Sequence, residues 1–212
     1  MSDTEAASLS VLLVCTANHC RSPMAEFLMR AQLSVRELDW TVRSAGTRAQ
    51  PGVPIHPTAE RILSKRGLVT GDWTSRALTT QQIEDADLIL TAAEEHRGVV
   101  AKLTPTAMSR TFTLLQFAHL VSALPMPVAV PPQDYGRVLL TGVSGLRGLV
   151  QPMPRSERDL PDPMGQSSFR FRRCARAIDR ALDRILVGVR PLRWSGEDVP
   201  RADRVPGESR SG

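Results

Sequence analysis

The chain contains 212 residues, 42% of them hydrophobic, which predicts one domain with a sizeable core and terminal tails. Lys65 and Lys102 are the only lysines among the 27 basic residues, so the other 25 are arginines; the net charge is +5 and the pI about 9.8. Because the arginines are scattered among acidic residues, the charge pattern disfavours a nucleic-acid-binding face and favours a solvated basic surface that attracts acidic or phosphorylated partners.

Predicted strands and helices alternate from residue 9 onwards, after a start at 1–8 that we expect to be flexible. The first strand is an almost continuous apolar run, which is typical of a buried parallel strand. The predicted elements in chain order are a strand at 9–14, a helix at 22–35, a strand at 40–45, a helix at 57–66, a short helix at 79–84, a strand at 86–91, a helix at 94–103, a strand at 111–113 and a helix from Leu114 onwards. This order predicts an α/β fold with a parallel sheet and right-handed crossovers.

The last third of the chain is less regular. A proline-rich stretch over 121–133 predicts a loop, and the apolar spacing over 135–150 predicts one helix, which its glycines weaken. An amphipathic pattern over 167–187 predicts the last helix. Hydrophobic residues become sparse after it, so we expect a domain over 9–190 and a disordered tail at 191–212.

The segment from Cys15 to Pro23 connects the first predicted strand to the first predicted helix. Five residues separate Cys15 from Arg21, and a loop that leads into a helix N-terminus offers backbone N–H groups and a positive dipole to an anion. A guanidinium grips two phosphate oxygens with its planar fork, and the same field favours the thiolate form of a cysteine. Cys15 is therefore a candidate nucleophile, and Arg21 a candidate catalytic phosphate ligand.

An arginine six positions after a cysteine is a weak signal in a chain with so many arginines, so the residues between and after them carry the interpretation. Asn18 tolerates a left-handed backbone in a tight loop. Ser22 can donate a hydrogen bond to the thiolate and can also cap the helix, and Pro23 suits a first helical turn. The candidate phosphate-binding residues are Thr16, Ala17, Asn18, His19, Cys20 and Ser22.

The segment from Cys15 to Glu26 resembles the phosphate loop of the low-molecular-weight protein tyrosine phosphatases, within the superfamily that also holds arsenate reductase-like proteins. Further matches follow in the same order: Ser44-Ala45-Gly46-Thr47, Ser75-Arg76, Ala86–Leu90, and Asp159–Pro163, which looks like the general-acid loop of the family. The resemblance covers about 9–118 and 157–188. It implies a single three-layer domain with a four-stranded parallel sheet in the order 2-1-3-4 and helices on both faces.

The resemblance also implies an activity, the hydrolysis of phosphomonoesters of the protein-tyrosine-phosphatase type through a phosphocysteine intermediate. Cys15 would attack phosphorus, Arg21 would stabilise the equatorial oxygens, and Asp162 would serve as general acid and then general base. Ser44 matches the serine that supports the loop asparagine, here Asn18. No metal or cofactor is expected, and the substrate would be a phosphorylated protein or a small phosphoester.

Several positions depart from the pattern of the family. Ala17 stands where a glycine is usual, and Trp73 stands where a histidine supports the loop asparagine. Gln50 and Met164 occupy places where aromatic residues often line the cleft. Because a phosphotyrosine ring needs flat apolar walls, cleavage of a phosphate ester is better supported than tyrosine specificity. Residues 120–156 are extra; we interpret them as a surface elaboration, with a lid or a partner-docking element as the alternative.

Two other functions stay open at this point. An arsenate reductase of this fold would carry a cysteine pair after the third strand; Thr91–His96 contains none, but an external thiol could replace it. A non-catalytic phosphate-binding regulatory module is favoured by Ala17 and Trp73. Asp162 argues for hydrolysis rather than arsenate reduction.

The cysteines and the N-terminus indicate in which cellular compartment the protein is expected. Three cysteines do not make an extracellular disulfide framework, and no Cys/His spacing predicts a zinc site. Cys20 predicts a reversible disulfide with Cys15, with a small buried side chain as the alternative, and Cys174 is expected in the core. The four histidines are scattered, and none is assigned a catalytic role. Met1–Glu5 lacks a signal-peptide pattern and no apolar stretch reaches about 18 residues, so we expect a cytoplasmic protein that does not enter a membrane.

Overall fold

The computed structural model describes residues 9–125, 130–146 and 148–189; the expected flexible start at 1–8 and tail at 191–212 lie outside them. The strands are β1 (Ser10–Cys15), β2 (Thr41–Gly46), β3 (Leu88–Thr91) and β4 (Thr111–Thr113). The α-helices are α1 (Arg21–Ser34), α2 (Pro57–Ser64), α3 (Thr80–Glu84), α4 (Glu94–Leu103), α5 (Leu114–Ser122), α6 (Pro132–Gly145) and α7 (Ser168–Ile185).

The strands form one sheet in the order β2-β1-β3-β4, and every neighbouring pair is parallel. Because side chains alternate across a strand, Val11 and Leu13 of β1 join the core on one face of the sheet, while Leu12 and Val14 join the core on the other. Helices α1, α5 and α7 cover the first face, and α3 and α4 cover the second. The expected three-layer fold and its strand order are confirmed.

The main difference from the expected elements concerns the proline-rich stretch. α5 continues to Ser122 and α6 begins at Pro132, both inside the stretch expected to be a loop, and α6 ends at Gly145 rather than at residue 150. Pro131 is the N-cap of α6 and Pro132 its first residue. A missing N–H costs no hydrogen bond there, so these prolines start a helix instead of preventing one.

Helix α6 lies within residues 120–156, which we interpret above as an extra segment, and it packs against the amino-terminal edge of the sheet. Tyr135 is fully buried, its ring stacks on Trp40 with centroids 6.1 Å apart, and its hydroxyl donates to the Ile185 carbonyl at 2.5 Å. A Cβ added at Gly136 would lie 3.2 Å from Leu9 Cβ. These contacts join α6 to the main core, at the edge of the sheet opposite Cys15.

Helix α7 lays an apolar face on the core and an arginine-rich face towards solvent. Cys174 is fully buried on the apolar face, as the sequence predicts. Neither α7 nor any other helix in the described part of the chain is long and apolar enough to cross a bilayer.

Candidate active site

The loop over residues 16–20 joins the carboxyl end of β1 to the start of α1, the edge of a parallel sheet where ligands bind. Cys15 ends β1 and Arg21 begins α1, and both are buried, with 3% and 5% of their surface exposed. Asn18 adopts a φ of 53°, the left-handed conformation expected of it. Within the described chain, none of the backbone N–H groups at 16–20 donates to a protein acceptor. These donors are therefore available to an anion.

The end of β2 lies directly against this loop. A Cβ added at Gly46 would come within 2.6 Å of the Thr16 carbonyl oxygen and 2.7 Å of the Asn18 nitrogen, so a side chain does not fit there. The Thr47 N–H donates to the Cys15 carbonyl at 2.9 Å. The segment Ser44–Thr47, which carries part of the resemblance, thus packs against this loop and holds it in place.

Asn18 is fully buried and connects the loop to its surroundings. Its Nδ2 donates to Ser22 Oγ and to Ser44 Oγ, each at 2.8 Å, and its Oδ1 accepts from the Arg76 N–H at 2.8 Å. These bonds tie the loop to β2 and to the segment before α3. Ser44 therefore stands where the resemblance implies its support of Asn18.

Ser22 Oγ lies 3.0 Å from Cys15 Sγ. Asn18 already donates to Ser22 Oγ, so the serine hydrogen can point at the sulfur, which lies closer than its other acceptor, the Ala45 carbonyl oxygen at 3.5 Å. In that orientation the hydroxyl stabilises a thiolate. The expectation that Ser22 could cap the helix is wrong, since α1 begins at Arg21 and its N-cap is Cys20, without a side-chain cap. The Ser22 hydroxyl is used inside the loop instead.

A buried carboxylate, Glu26, lies behind Ser44. Ser44 Oγ donates to Glu26 Oε2 at 2.5 Å, and Trp73 Nε1 donates to the same oxygen at 3.2 Å. Arg30 and Arg76 pair with Oε1 at 2.7 and 3.3 Å, which compensates the cost of burying the charge. Trp73 is thus linked to Asn18 only through Glu26 and Ser44.

Asp162 reaches the loop from the far end of the chain. Its Oδ2 lies 2.8 Å from Arg21 Nη2, and its Oδ1 accepts from the Met164 N–H at 3.0 Å. The Leu160 N–H donates to the Ala92 carbonyl just after β3, which anchors the segment that carries Asp162. Half of the Asp162 side chain is exposed, so the carboxylate lies at the mouth of the site while it pairs with the Arg21 guanidinium.

A second partner of Arg21 lies deeper. Arg21 Nη2 donates to Thr16 Oγ1 at 3.2 Å, and Thr16 Oγ1 lies 2.9 Å from Nε2 of His96, a residue of α4 that is 1% exposed. Burial lowers the pKa of His96, and Arg21 lowers it further, against the opposing effects of Glu95 and Asp159. The imidazole is therefore neutral at neutral pH.

Cys20 is buried beside Met164, with the two sulfur atoms 3.2 Å apart. Burial, together with Cys15 and Asp162, raises the pKa of Cys20 to about 12, so it is a thiol at neutral pH. All three cysteines of the chain are free. The disulfide between Cys15 and Cys20 stays a prediction.

The remaining loop residues and the expected wall positions are more open to solvent. Thr16, Ala17 and His19 are half-buried, while Gln50 and Met164 are exposed. The His19 carbonyl accepts from the His56 N–H at 3.0 Å, which links the loop to the residue that caps α2. Neither wall position offers an aromatic surface.

Two residues of the site received no role from the sequence. Glu26 is an acidic residue on the buried face of α1, and a charge at such a position is a signal that could have found it. His96 follows β3 closely, and the carboxyl ends of parallel strands meet at one edge of the sheet. A titratable residue placed there is a candidate for the same site as Cys15.

Comparison with known proteins agrees with this geometry. The family model described as low molecular weight phosphotyrosine protein phosphatase matches residues 10–138. The chain is 32% identical over 113 residues to the probable low molecular weight protein-tyrosine-phosphatase AmsI of Erwinia amylovora, which covers 53% of this chain and 74% of that protein. It is 33% identical over 109 residues to the protein-arginine-phosphatase of Bacillus subtilis, which covers 51% of this chain and 72% of that protein.

Solved structures have the same fold. The low molecular weight protein tyrosine phosphatase from T. tengcongensis superimposes with a TM-score of 0.64 at 25% identity, covering 86% of this chain and 100% of that one. The match of the family model over more than half of the chain, the relatives above 30% identity and the shared fold lead to one conclusion. The chain belongs to the low molecular weight phosphotyrosine protein phosphatase family.

Proposed function

We propose that the chain hydrolyses phosphate monoesters on proteins, with Cys15 as the nucleophile. The observation that supports this best is the convergence of three groups at one loop: Cys15 against the Ser22 hydroxyl, Arg21 beside it, and Asp162 in contact with Arg21. The backbone N–H groups at 16–20 add donors that are free within the described chain. A nucleophile, a phosphate cradle and a proton donor are the parts that this chemistry needs.

In the first step, the Cys15 thiolate attacks phosphorus in line. The S–P bond forms while the bond from phosphorus to the leaving oxygen breaks, and Arg21 and the loop amides stabilise the equatorial oxygens. Asp162, which takes up a proton from solvent once it has left Arg21, donates that proton to the leaving oxygen, which departs as a neutral alcohol. The phosphate must first displace the Asp162 carboxylate from Arg21, which frees the carboxyl group to face the leaving oxygen.

In the second step, water hydrolyses the phosphocysteine. Asp162, now a carboxylate, takes a proton from the water as it attacks phosphorus. The S–P bond breaks and Cys15 leaves as a thiolate, which the Ser22 hydroxyl stabilises at 3.0 Å. Inorganic phosphate is the product, and Arg21 returns to Asp162.

The first candidate substrate is a phosphotyrosine protein, because the family model is described as a phosphotyrosine protein phosphatase. A protein-arginine phosphatase is the second candidate, since the relative of that name in Bacillus subtilis is as similar to this chain as AmsI is. Gln50 and Met164 favour this candidate, because a guanidine leaving group needs no aromatic slot.

The other two functions are less well supported. Arsenate reduction would depend on an external thiol, because Thr91–His96 has no cysteine. A module that only binds phosphate would have no use for the carboxylate of Asp162, which repels an anion. We also propose a cytoplasmic location, since three free cysteines, one of them the nucleophile, suit a reducing compartment. A protein partner at 120–156 stays a prediction.

The test is turnover of an aryl phosphate, a phosphotyrosine peptide, a phosphoarginine peptide and arsenate with an external thiol, by the unmodified chain and Cys15→Ala. We expect hydrolysis of the aryl phosphate and a loss of about 10³-fold or more in Cys15→Ala. Cys174→Ala, a core cysteine outside the loop, is the matched control. A folded protein that binds phosphate but turns over none of these substrates would instead be a binding module.

A further inference from the structure

His96 is buried behind the phosphate loop but takes no part in the reaction as proposed above. It is 1% exposed, and its Nε2 reaches Arg21 only through Thr16 Oγ1, over distances of 2.9 and 3.2 Å. We propose that His96 is a positioning residue that acts through Thr16 to hold the Arg21 guanidinium in the orientation that binds phosphate. This inference rests on the proposed function, because it concerns the phosphate ligand of that site.

The donor and acceptor roles between Thr16 and His96 depend on the tautomer of His96, and we assign the imidazole proton to Nδ1. A guanidinium has no acceptor, so Thr16 Oγ1 accepts from Arg21. The Thr16 hydroxyl hydrogen is then free to donate to Nε2 of His96. Nε2 accepts only when His96 is neutral with its proton on Nδ1. A neutral His96 thus orders the hydroxyl, and the ordered hydroxyl fixes one N–H of the guanidinium.

Burial keeps His96 in this neutral form, and the charges around it act in both directions. Arg21 of α1 faces it, Glu95 Oε1 of its own helix lies 3.3 Å from Nε2, and Asp159 approaches from the segment before α7. Burial and Arg21 lower the pKa of His96, and they outweigh the two carboxylates and the hydrogen bond to the Ala93 backbone, which raise it. Protonation would place a second cation near Arg21 and would make Nε2 a donor, which reverses the hydrogen bond to Thr16.

The position of Arg21 needs this support because Asp162 holds the same Nη2 from the mouth of the site, at 2.8 Å. When a phosphate displaces Asp162, that contact is lost. Thr16 is then the side chain that keeps Nη2 in place. The remaining N–H groups of the fork stay aimed at the phosphate, so the guanidinium does not have to be ordered again in each catalytic cycle.

The test compares variants along the chain from Arg21 to His96. His96→Leu and Thr16→Val remove the hydrogen bond between the two residues, while His96→Gln and Thr16→Ser retain a polar partner. His119→Leu is the matched control, because the His119 ring contacts the Gln151 carbonyl and not the loop. The measured quantities are kcat and KM for an aryl phosphate and the Ki of inorganic phosphate.

We expect His96→Leu and Thr16→Val to raise KM and Ki about tenfold, since each loses support for a charged phosphate ligand. His119→Leu should stay within about twofold of the unmodified protein at neutral pH, and His96→Gln and Thr16→Ser, which retain a polar partner, should recover most of the loss seen in His96→Leu and Thr16→Val. The double variant His96→Leu/Thr16→Val should have the same KM and Ki as Thr16→Val, because both changes break the same series of hydrogen bonds. Independent effects would instead multiply to about a hundredfold.

The pH dependence of the Ki of inorganic phosphate distinguishes this role of His96 from a purely structural one, which would leave it unchanged. As the pH falls through the lowered pKa of His96, the unmodified chain should lose phosphate affinity while His96→Gln does not. The ratio of their Ki values cancels the titration of phosphate itself. A ratio that stays constant across acidic pH overturns the proposal.

Two further results would overturn it: a folded His96→Leu with KM and Ki equal to those of His119→Leu, or a double variant whose effects multiply. Should His96→Leu fail to fold, equal Ki values for Thr16→Val and Thr16→Ser would refute the proposed hydrogen-bond link from His96 to Arg21. Calorimetric binding of inorganic phosphate gives the same comparison without turnover. If the variants show this pattern of phosphate binding but the protein hydrolyses none of the substrates, the proposed function fails while this inference stands.

Discussion

Replacing Asp162 by asparagine separates the two contacts of this residue. An asparagine Oδ1 still accepts from the Met164 N–H, which lies 3.0 Å away in the structure, so the segment keeps its local conformation. The proton donor and the ion pair with Arg21, at 2.8 Å, are both lost. We therefore expect two effects of opposite sign, slower departure of the leaving group and tighter binding of phosphate.

The two magnitudes come from different contacts. General acid catalysis is worth about 10²–10⁴ in rate, and only a poor leaving group needs all of it, since an activated phenolate departs without a proton. The ion pair is half exposed on the Asp162 side, and pairs of that kind contribute about 0.2–1 kcal/mol. Release of Arg21 should therefore lower the Ki of inorganic phosphate by about 1.5- to 5-fold.

The assay measures kcat for phenyl phosphate and for a nitrophenyl phosphate, and the Ki of inorganic phosphate, in Asp162→Asn. Asp159→Asn is the matched control, because Asp159 accepts from the Glu94 N–H at 2.9 Å and forms no ion pair with Arg21 in the described part of the chain. Equal slowing of both substrates would remove Asp162 from the acid role. A Ki that stays the same or rises would show that its carboxylate does not compete with phosphate.

Three further results are expected. Ser44→Ala removes the hydroxyl that accepts from Asn18 and donates to Glu26, so the free energy of unfolding should fall by about 2 kcal/mol. Urea titration measures this change, and Ser34→Ala, at an exposed position, should leave the free energy of unfolding unchanged. Gly46→Ala should abolish activity because its Cβ would lie 2.6 Å from a loop carbonyl oxygen, whereas Gly98→Ala, with no atom within 4 Å, should keep it; equal activities would contradict the close approach. Peroxide should inactivate the enzyme in a way that thiol reverses, and Cys20→Ser should lose that recovery; unchanged recovery would argue against the disulfide.

The fold could be predicted from the sequence because its signals are local. The apolar run of β1 and the alternation of elements lead directly to a parallel sheet, and the loop from Cys15 to Arg21 is continuous in the chain. The left-handed Asn18 follows from its residue type. Asp162 required the resemblance, because no local pattern connects it to an arginine near the other end of the chain.

Other features depend on tertiary contacts that periodicity does not encode. Glu26 is stabilised by donors from β2, α1 and the segment before α3, and His96 acquires its partner only when α4 packs beside the loop. Ser22 was expected as a possible cap, yet its hydroxyl bonds within the loop. The sequence predicts a loop at Pro132, whereas α6 begins there. This helix is stabilised by the burial of Tyr135, a tertiary contact that the local sequence does not show.

The central claim is that Cys15 carries the phosphoryl group between the two steps. Rapid quenching of the reaction with an activated aryl phosphate, followed by peptide mapping, should place one phosphoryl group on the peptide that contains Cys15. Asp162→Asn should accumulate more of it than the unmodified chain, because hydrolysis of the intermediate loses its base. Cys15→Ala should carry none. Turnover that proceeds with no phosphoryl group on Cys15, or with one on another residue, would contradict the account.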